Sequence, residues 1–412
     1  MEAKIYINEK IFKDISESPE RVIQGVAFEI RGEGIIHTFL EYPEVNPKGI
    51  PLPVIFMKDE KSEINLPKPN FQGWGTKVLY VFCNPKGKMK AELFEFGEKQ
   101  KITIDIEIIA LSKDLQSRNA GIIETEHLLN KSVTIVGLGS FGSQIAVELA
   151  KAGVGNFYLF DFDRLESSNF SRHACDLSDI GRFKTHAIRD KIKLHNPDAK
   201  IETFEISILD KPDKLGEIIE VSDLAICATD NNPSRELIAA LAKEKLKTVI
   251  YGRAFTRAFG GDVLRQTPAG PCYSCLIDIM GSTQEEVKSF KQSKVLHPAY
   301  VPQNVVAAAV QVGLSVDIQP IYNLMIKLSL LELSRGLPDN PLVALDKELS
   351  SDFYLWLNRN DPSSSYRTSP FNGKVDNANP LRIMKWIGIH VNKDAKCFNC
   401  KSEEHAEICE NK

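Results

Sequence analysis

Gly137, Gly139 and Gly142 stand in G-x-G-x-x-G spacing inside VTIVGLGSFGSQIAVELAKAG, residues 133–153. Such spacing builds a phosphate cradle: Gly137 permits a tight turn, Gly139 lets backbone approach a phosphate, and Gly142 lets a helix pack close to a strand. The helix that follows offers free N–H groups and a positive dipole end to an anion. Asp161 closes the next apolar run, in NFYLFDFD (156–163). An acid at that place can accept hydrogen bonds from ribose hydroxyls. So far a nicotinamide dinucleotide and ATP fit equally well.

Charged residues further along separate the two. Arg172 lies in SNFSRH (168–173), Lys184 in GRFK (181–184) and Asp230 in CATDNN (227–232). Hydride transfer has no need of this cluster. Splitting ATP between its α and β phosphates does, because negative charge grows on the α-phosphoryl group and on departing pyrophosphate. Fixed Arg and Lys donors stabilise that charge, and a carboxylate such as Asp230 can hold the Mg²⁺ that bridges the phosphates. Singly, each residue has a plainer reading. Asp163 and Asn169 are turn formers, Lys184 a solvated helix start and Asp230 a turn or helix cap. Their order behind a glycine loop favours an ATP site. An NAD-dependent oxidoreductase would leave Arg172, Lys184 and Asp230 unexplained.

With these motifs in place, the chain from about Ser117 to Cys400 resembles the adenylyltransferases that activate ubiquitin-like proteins, the ThiF/HesA/MoeB superfamily. In that family a D-x-D, an S-N-x-x-R, a lysine after a glycine and a T-D-N stretch form the ATP site. The resemblance implies that Asp161 binds ribose and that Asp163 and Asn169 lie near the phosphates. It implies that Arg172 and Lys184 contact the triphosphate, with Asp230 on magnesium and Asn231 beside it. It also implies an arginine from just before the first strand, often given by the other subunit of a homodimer; Arg118 in SRN (117–119) is the candidate. The implied reaction is attack by a protein's C-terminal carboxylate on the α-phosphorus of ATP. The implied partner is a small β-grasp protein ending in glycine. A scaffold that binds such a protein without catalysis is the alternative; intact polar positions argue against it.

Cys272 and Cys275 form CYSC, and Cys397 and Cys400 form CFNC. Each pair can clasp one side of a Zn²⁺. About 120 residues separate the pairs, so spacing leaves them unconnected and a redox reading of one pair open. The resemblance implies that they share one structural zinc, with residues 277–303 crossing over the active site between them. No cysteine lies between Cys275 and Cys397, a departure from the thioester-forming branch. Cys83, Cys175, Cys227 and Cys409 remain. Cys227 sits in an apolar run and reads as buried, and Cys175 reads first as a packing residue. Cys409, in the polar tail, reads first as idle. Two routes stay open: adenylation alone, with a sulfur donor or conjugating enzyme taking the acyl group, or a thioester on an unconventional cysteine.

These residues need elements to hold them. After Val133, apolar runs alternate with amphipathic ones: 133–139, 156–163, 200–207, 223–229 and 247–253 read as strands, and 143–153, 184–196, 211–221 and 234–245 as helices. The expected fold is α/β, a Rossmann-like mainly parallel sheet with helices on both faces. Apolar residues 304–318 and 321–333 read as a helix interrupted at Pro320. Residues 1–115 carry short strand-like runs between turn signals and read as a smaller β-rich accessory domain, with 116–412 as the adenylation domain and zinc-binding tail. The run 38–56 faintly resembles the strand and proline-rich turn of ubiquitin-conjugating enzymes, but a half-buried Cys83 in an accessory domain is the simpler reading. The extra domain tilts the expected pathway towards a bacterial ubiquitin-like conjugation system. The 412 residues are 43% hydrophobic and 26% charged, with net charge −4. That balance argues against a general nucleic-acid binder. There is no membrane-length apolar run and no secretory layout at the N-terminus, so a cytoplasmic protein is expected.

Overall fold

The computed structural model describes residues 4–58, 77–280, 313–358 and 384–400, less the stretches 84–88, 96–101 and 111–114 and scattered loop positions. The chain divides into two compact units, Met1–Arg118 and Asn119–Lys412.

The first unit is a closed barrel of seven strands. They are β1 (Lys4–Asn8), β2 (Val22–Ile30), β3 (Ile35–Phe39), β4 (Ile50–Met57), β5 (Lys77–Cys83), β6 (Met89–Glu95) and β7 (Ile102–Ile109), in the order β1-β3-β2-β4-β5-β6-β7. Parallel pairing of β1 with both β3 and β7 closes the ring. Ile5, Ile7, Val54, Leu79, Val81 and Ala91 form the core of this unit. Helix α1 (Glu9–Glu17) was not foreseen. Its start is capped by the Asn8 side chain, which accepts from the Lys10 N–H.

The second unit is an eight-stranded sheet between two layers of helices. Its strands are β8 (Ser132–Val136), β9 (Asn156–Phe160), β10 (Lys200–Phe204), β11 (Leu224–Cys227), β12 (Val249–Ala254), β13 (Gly260–Gln266), β14 (Phe353–Leu357) and β15 (Lys385–Ile389). The order is β10-β9-β8-β11-β12-β13-β14-β15. The first five are parallel; β13, β14 and β15 extend the sheet antiparallel. All of β8 is buried, as expected of a central parallel strand covered on both faces. Val133 and Ile135 join one core with Ile145 and Leu149 of α3 (Gly142–Ala152) and Ile188 and Ile192 of α4 (Lys184–His195). Val136 joins the other, with Leu215 and Ile219 of α5 (Pro212–Val221) and Ile238 and Ala242 of α6 (Asn232–Glu244).

Strand order reverses between β8 and β11. In open α/β sheets the crevice at the carboxyl ends of the strands beside that reversal takes the ligand. The glycine loop follows β8, Asp161 and Asp163 follow β9, and Asp230 follows β11. Short helices α2 (Thr125–Leu129) and α7 (Tyr273–Met280) precede β8 and follow β13. Helix α8 (Ser315–Leu333) corrects one expectation: it runs through Pro320 without a break. Proline removes one helical hydrogen bond, here near the start of the helix, and burial of Ile318, Ile321, Met325 and Leu328 offsets the loss. Helix α9 (Leu342–Glu348) leads to β14. Residues 277–280 of the expected crossover loop end α7; 281–303 and Cys409 lie outside the described residues.

The glycines of the loop carry different burdens. Gly137 has φ +85°, and a Cβ there would stand 2.8 Å from the Ala228 carbonyl oxygen. A Cβ on Gly142 would stand 1.9 Å from the Gly137 carbonyl oxygen, whereas one on Gly139 would meet open space. Gly142→Ala is therefore expected to cost about 1–3 kcal/mol of stability through a forced backbone shift. Gly139→Ala should leave stability within about 0.5 kcal/mol. Denaturant titration of the two variants checks this, and equal stabilities would refute the assignment.

Candidate functional site

The glycine loop is held in place by side chains from the segment after β9. The Asp161 carboxylate accepts from the Leu138 N–H at 2.7 Å and from the Asp163 N–H at 2.8 Å. Its side chain is only 8% exposed. Burial raises its pKa above the usual carboxylate range, while the Lys184 ammonium and the two N–H groups pull the other way. From the opposite side, His173 Nε2 meets the Leu138 carbonyl oxygen at 2.7 Å. Nδ1 of the same ring accepts from the Cys175 N–H, so the neutral ring carries its proton on Nε2 and donates it to Leu138. Arg172 Nε donates to Ser140 Oγ at 2.6 Å. Thus three groups from 161–173 fix residues 138–140.

Lys184 is the first residue of α4 and is buried. A β-bridge between Arg164 and Phe183 brings it beside Asp163. The Arg164 guanidinium lies 3.7 Å over the Phe183 ring. Lys184 Nζ donates to Asp163 Oδ2 at 2.7 Å and stands 3.8 Å from Asp161 Oδ1. Asp163 is 51% exposed at the crevice. Asn169 closes a 3-10 turn: its Oδ1 accepts from the Glu166 N–H, which leaves its NH₂ group able to donate. Asp230 is exposed at the end of β11. Asn231 caps α6 by accepting from the Ser234 N–H at 2.9 Å. Among the described residues no side chain caps the start of α3, where the Ser143 N–H donates to the Gly139 carbonyl oxygen at 3.1 Å. Arg118 lies on the 3-10 turn Ser117–Asn119; its side chain is outside the described residues.

The Asp161 carboxylate thus ties one oxygen to the loop at Leu138 and the other to its own turn at Asp163, and Asp163 is the more exposed of the two acids at this strand end. His173 was passed over although it follows Arg172 directly. Its neutral, donating state is invisible without the fold.

The two cysteine pairs meet. Cys272 Sγ lies 3.7 Å from Cys275 Sγ and 3.4 Å from Cys397 Sγ, and Cys275 Sγ lies 3.6 Å from Cys400 Sγ. All four are buried and their sulfurs lie within 4.8 Å of one another, as a group that could hold a metal ion. Asn399 Nδ2 donates to Ser274 Oγ across the two halves. Tetrahedral metal–sulfur bonds of about 2.3 Å separate sulfurs by about 3.8 Å, close to the three distances above, so the donor set fits such an ion. Burial pushes the Cys272, Cys397 and Cys400 thiols up to about 11. The other described cysteines are buried away from solvent. Cys83 ends β5 and Cys227 ends β11, both with thiols raised by burial, and Cys175 is pushed up to about 12.

A glycine loop at a topological switch point, with acids, Arg172 and Lys184 about it, defines a Rossmann-like α/β unit. Residues 111–340, more than half the chain, match the ThiF family, and the chain belongs to it. The SAMP-activating enzyme E1 of Haloferax volcanii is 32% identical over 151 residues, 36% of this chain and 54% of that protein. Ubiquitin-like modifier-activating enzyme 5 of Caenorhabditis briggsae is 27% identical over 195 residues, 45% of each chain. Adenylyltransferase and sulfurtransferase MOCS3 of Drosophila sechellia is 31% identical over 180 residues, 43% of this chain and 39% of that one. The chain spans about half the length of the curated relatives it matches. Among solved structures, E. coli MccB aligns with a TM-score of 0.46 and 15% identity, over 67% of this chain and 69% of that one. Among the described residues no helix is long and apolar enough to cross a membrane.

Burial lowers the His173 pKa from 6.5 to about 4. Between those values the unfolded chain binds the proton and the folded chain does not. The His173 contribution to stability is therefore expected to be complete above pH 6.5 and to fall by about 3 kcal/mol as pH drops to 4. His173→Gln should flatten that part of the pH–stability curve measured by denaturant titration. Parallel curves for variant and wild type would refute the assignment.

Proposed function

We propose that this chain uses ATP and Mg²⁺ to activate the C-terminal carboxylate of a small ubiquitin-like or sulfur-carrier protein as an acyl-adenylate. A carboxylate oxygen bonds to the α-phosphorus, the bond from that phosphorus to the bridging oxygen breaks, and pyrophosphate leaves with its electron pair. A carboxylate is already a nucleophile at neutral pH, so the protein supplies position and charge rather than proton transfer. The observation that carries this reading is the convergence of the glycine loop, Asp163, Lys184 and Asp230 at the switch point. The family match and the activating and adenylylating names of the relatives support it.

In this reading Gly139 and the start of α3 receive the phosphates. Arg172 and Lys184 stabilise charge that grows on the α-phosphoryl group and pyrophosphate. Lys184 can do so without leaving Asp163, because an ammonium has three donors. Asp161, which also ties down Leu138, receives the ribose, and Asp163 lies near the phosphates. Asn169 donates to phosphate through its NH₂ group. Asp230, with Asn231 behind it, holds magnesium, which neutralises the phosphate oxygens when bound. Arg118, from one subunit of a homodimer to the site of the other, completes the proposal. Buried, high-pKa thiols at Cys83, Cys175 and Cys227 favour adenylation followed by transfer to another protein's thiol or sulfur donor.

Asp230→Ala should lower ATP–pyrophosphate exchange, measured with a glycine-ending β-grasp partner, by on the order of 100-fold or more. The melting temperature should not move, since Asp230 is exposed. Full exchange by that variant would sink the role.

We also propose that Cys272, Cys275, Cys397 and Cys400 hold one structural zinc. A four-thiolate set leaves no position open for a reacting water. Elemental analysis should find one zinc per chain. Because the thiols must lose protons to bind, affinity should fall as pH is lowered. A preparation that is folded, cooperative in melting and free of metal would refute this.

A further inference from the structure

Tyr273 stands between the cysteine centre and the nucleotide loop. It directly follows Cys272 and opens α7. Its side chain is fully buried, and its ring stacks on Tyr251 with centroids 5.1 Å apart. Its backbone N–H donates to Gln266 Oε1 at 3.1 Å. The phenol donates to Asn232 Oδ1 at 2.9 Å, and Arg253 Nη1 approaches the phenol oxygen at 3.4 Å. Arg253 is itself fixed by a buried ion pair with Asp262. Asn232 begins α6, two residues after Asp230. Arg235 braces the same turn from inside the helix, donating to Asn232 Oδ1 at 3.2 Å and to the Thr229 carbonyl oxygen at 2.5 Å.

We infer that Tyr273 is a positioning residue that couples occupancy of the four-cysteine centre to the Asp230 loop. A metal bound by Cys272 fixes the backbone one residue before Tyr273. The stacked ring is rigid, so the phenol oxygen is fixed as well. Its hydrogen bond sets the side chain of Asn232 and, through the turn at 229–232, the bearing of Asp230. Without the metal, the four buried thiols have no cation to bind to, and the start of α7 loses its tie to residues 397–400 while keeping its Gln266 bond and the Tyr251 stack. The phenol is then less firmly held against Asn232, and the loop leans more on its other braces, Arg235 and the Asn231 cap among them. A centre that takes no part in the chemistry thereby sets how well the loop is pre-formed for magnesium and nucleotide. The inference rests on the adenylation reading only for what the loop binds; the mechanical link stands apart from it.

The test is a four-state cycle on the full chain: wild type and Tyr273→Phe, each with metal and after chelation. Phenylalanine keeps the stacked ring and removes only the hydroxyl. Hydrogen exchange is followed at the amides of Asp230, Asn231 and Asn232, and Mg-ATP affinity by calorimetry. The loaded variant should retain its metal, exchange faster at those amides and bind Mg-ATP roughly fivefold more weakly, the measure of one neutral hydrogen bond. Chelation should do the same to wild type and add little to the variant, because both changes break one link. Unchanged exchange in the variant, or losses that simply add, would overturn the coupling. Should the stripped chain unfold, a second cycle of Tyr273→Phe with Asn232→Ala in the loaded protein isolates the phenol–amide link, and zero coupling there overturns it. Failure of wild type to bind ATP would count against the adenylation reading alone, because the exchange data still judge the link.

Discussion

Leu138 is held by both of its backbone groups, its N–H by the Asp161 carboxylate and its carbonyl by the His173 ring. The rest of the site depends on that clamp. A phosphate cradle is made of backbone N–H groups, which act only when the peptides carrying them are fixed before the ligand arrives. Here the Leu138 and Phe141 side chains pack into the core. The loop's peptides are held by a segment about 25–35 residues further on. That segment in turn brings Arg172 to Ser140 and, through the Arg164–Phe183 bridge, Lys184 to Asp163. Shape and charge thus come from one stretch of chain, so a change that loosens the clamp also displaces the cations.

The parallel half of the second unit was legible because its physics is local. Strands buried on both faces read as unbroken apolar runs, as in VTIV, and the helices between them carry helical spacing. The antiparallel extension was not legible. Strand β13 contains Asp262 and Arg265, which look like solvent residues in sequence. Both are buried, Asp262 against Arg253 and Arg265 against Glu332 and Asp346. Polar residues whose partners lie far away in the chain defeat any reading of periodicity. In the barrel, strand-like runs were visible from Gly25 onwards, but β1 and α1 were not. Their signal is a single short apolar alternation and an Asn cap.

The site divides the same way. Residue types and order marked the glycines, Asp161, Arg172, Lys184 and Asp230 as a group, because phosphate chemistry demands cations and a metal-binding acid behind a glycine loop. Which atom each one touches was not accessible. That Asp161 also accepts from Leu138 in the glycine loop and from Asp163 in its own turn leaves no mark in the sequence. His173 carried no signal of its own, since a lone histidine is most often packing. For the cysteines, spacing defined two half-sites, and only sulfurs 3.4–3.7 Å apart join them.

The join has a consequence for how the chain comes into being. Cys397 lies 125 residues beyond Cys272. During synthesis the first pair leaves the ribosome long before its partners exist, so the centre can close only after β14 and β15 have been made. Any part of the parallel sheet that forms during synthesis therefore does so while α7 is still untied. The four sulfurs come together last, a latch that can be fastened only on a chain completed through β15.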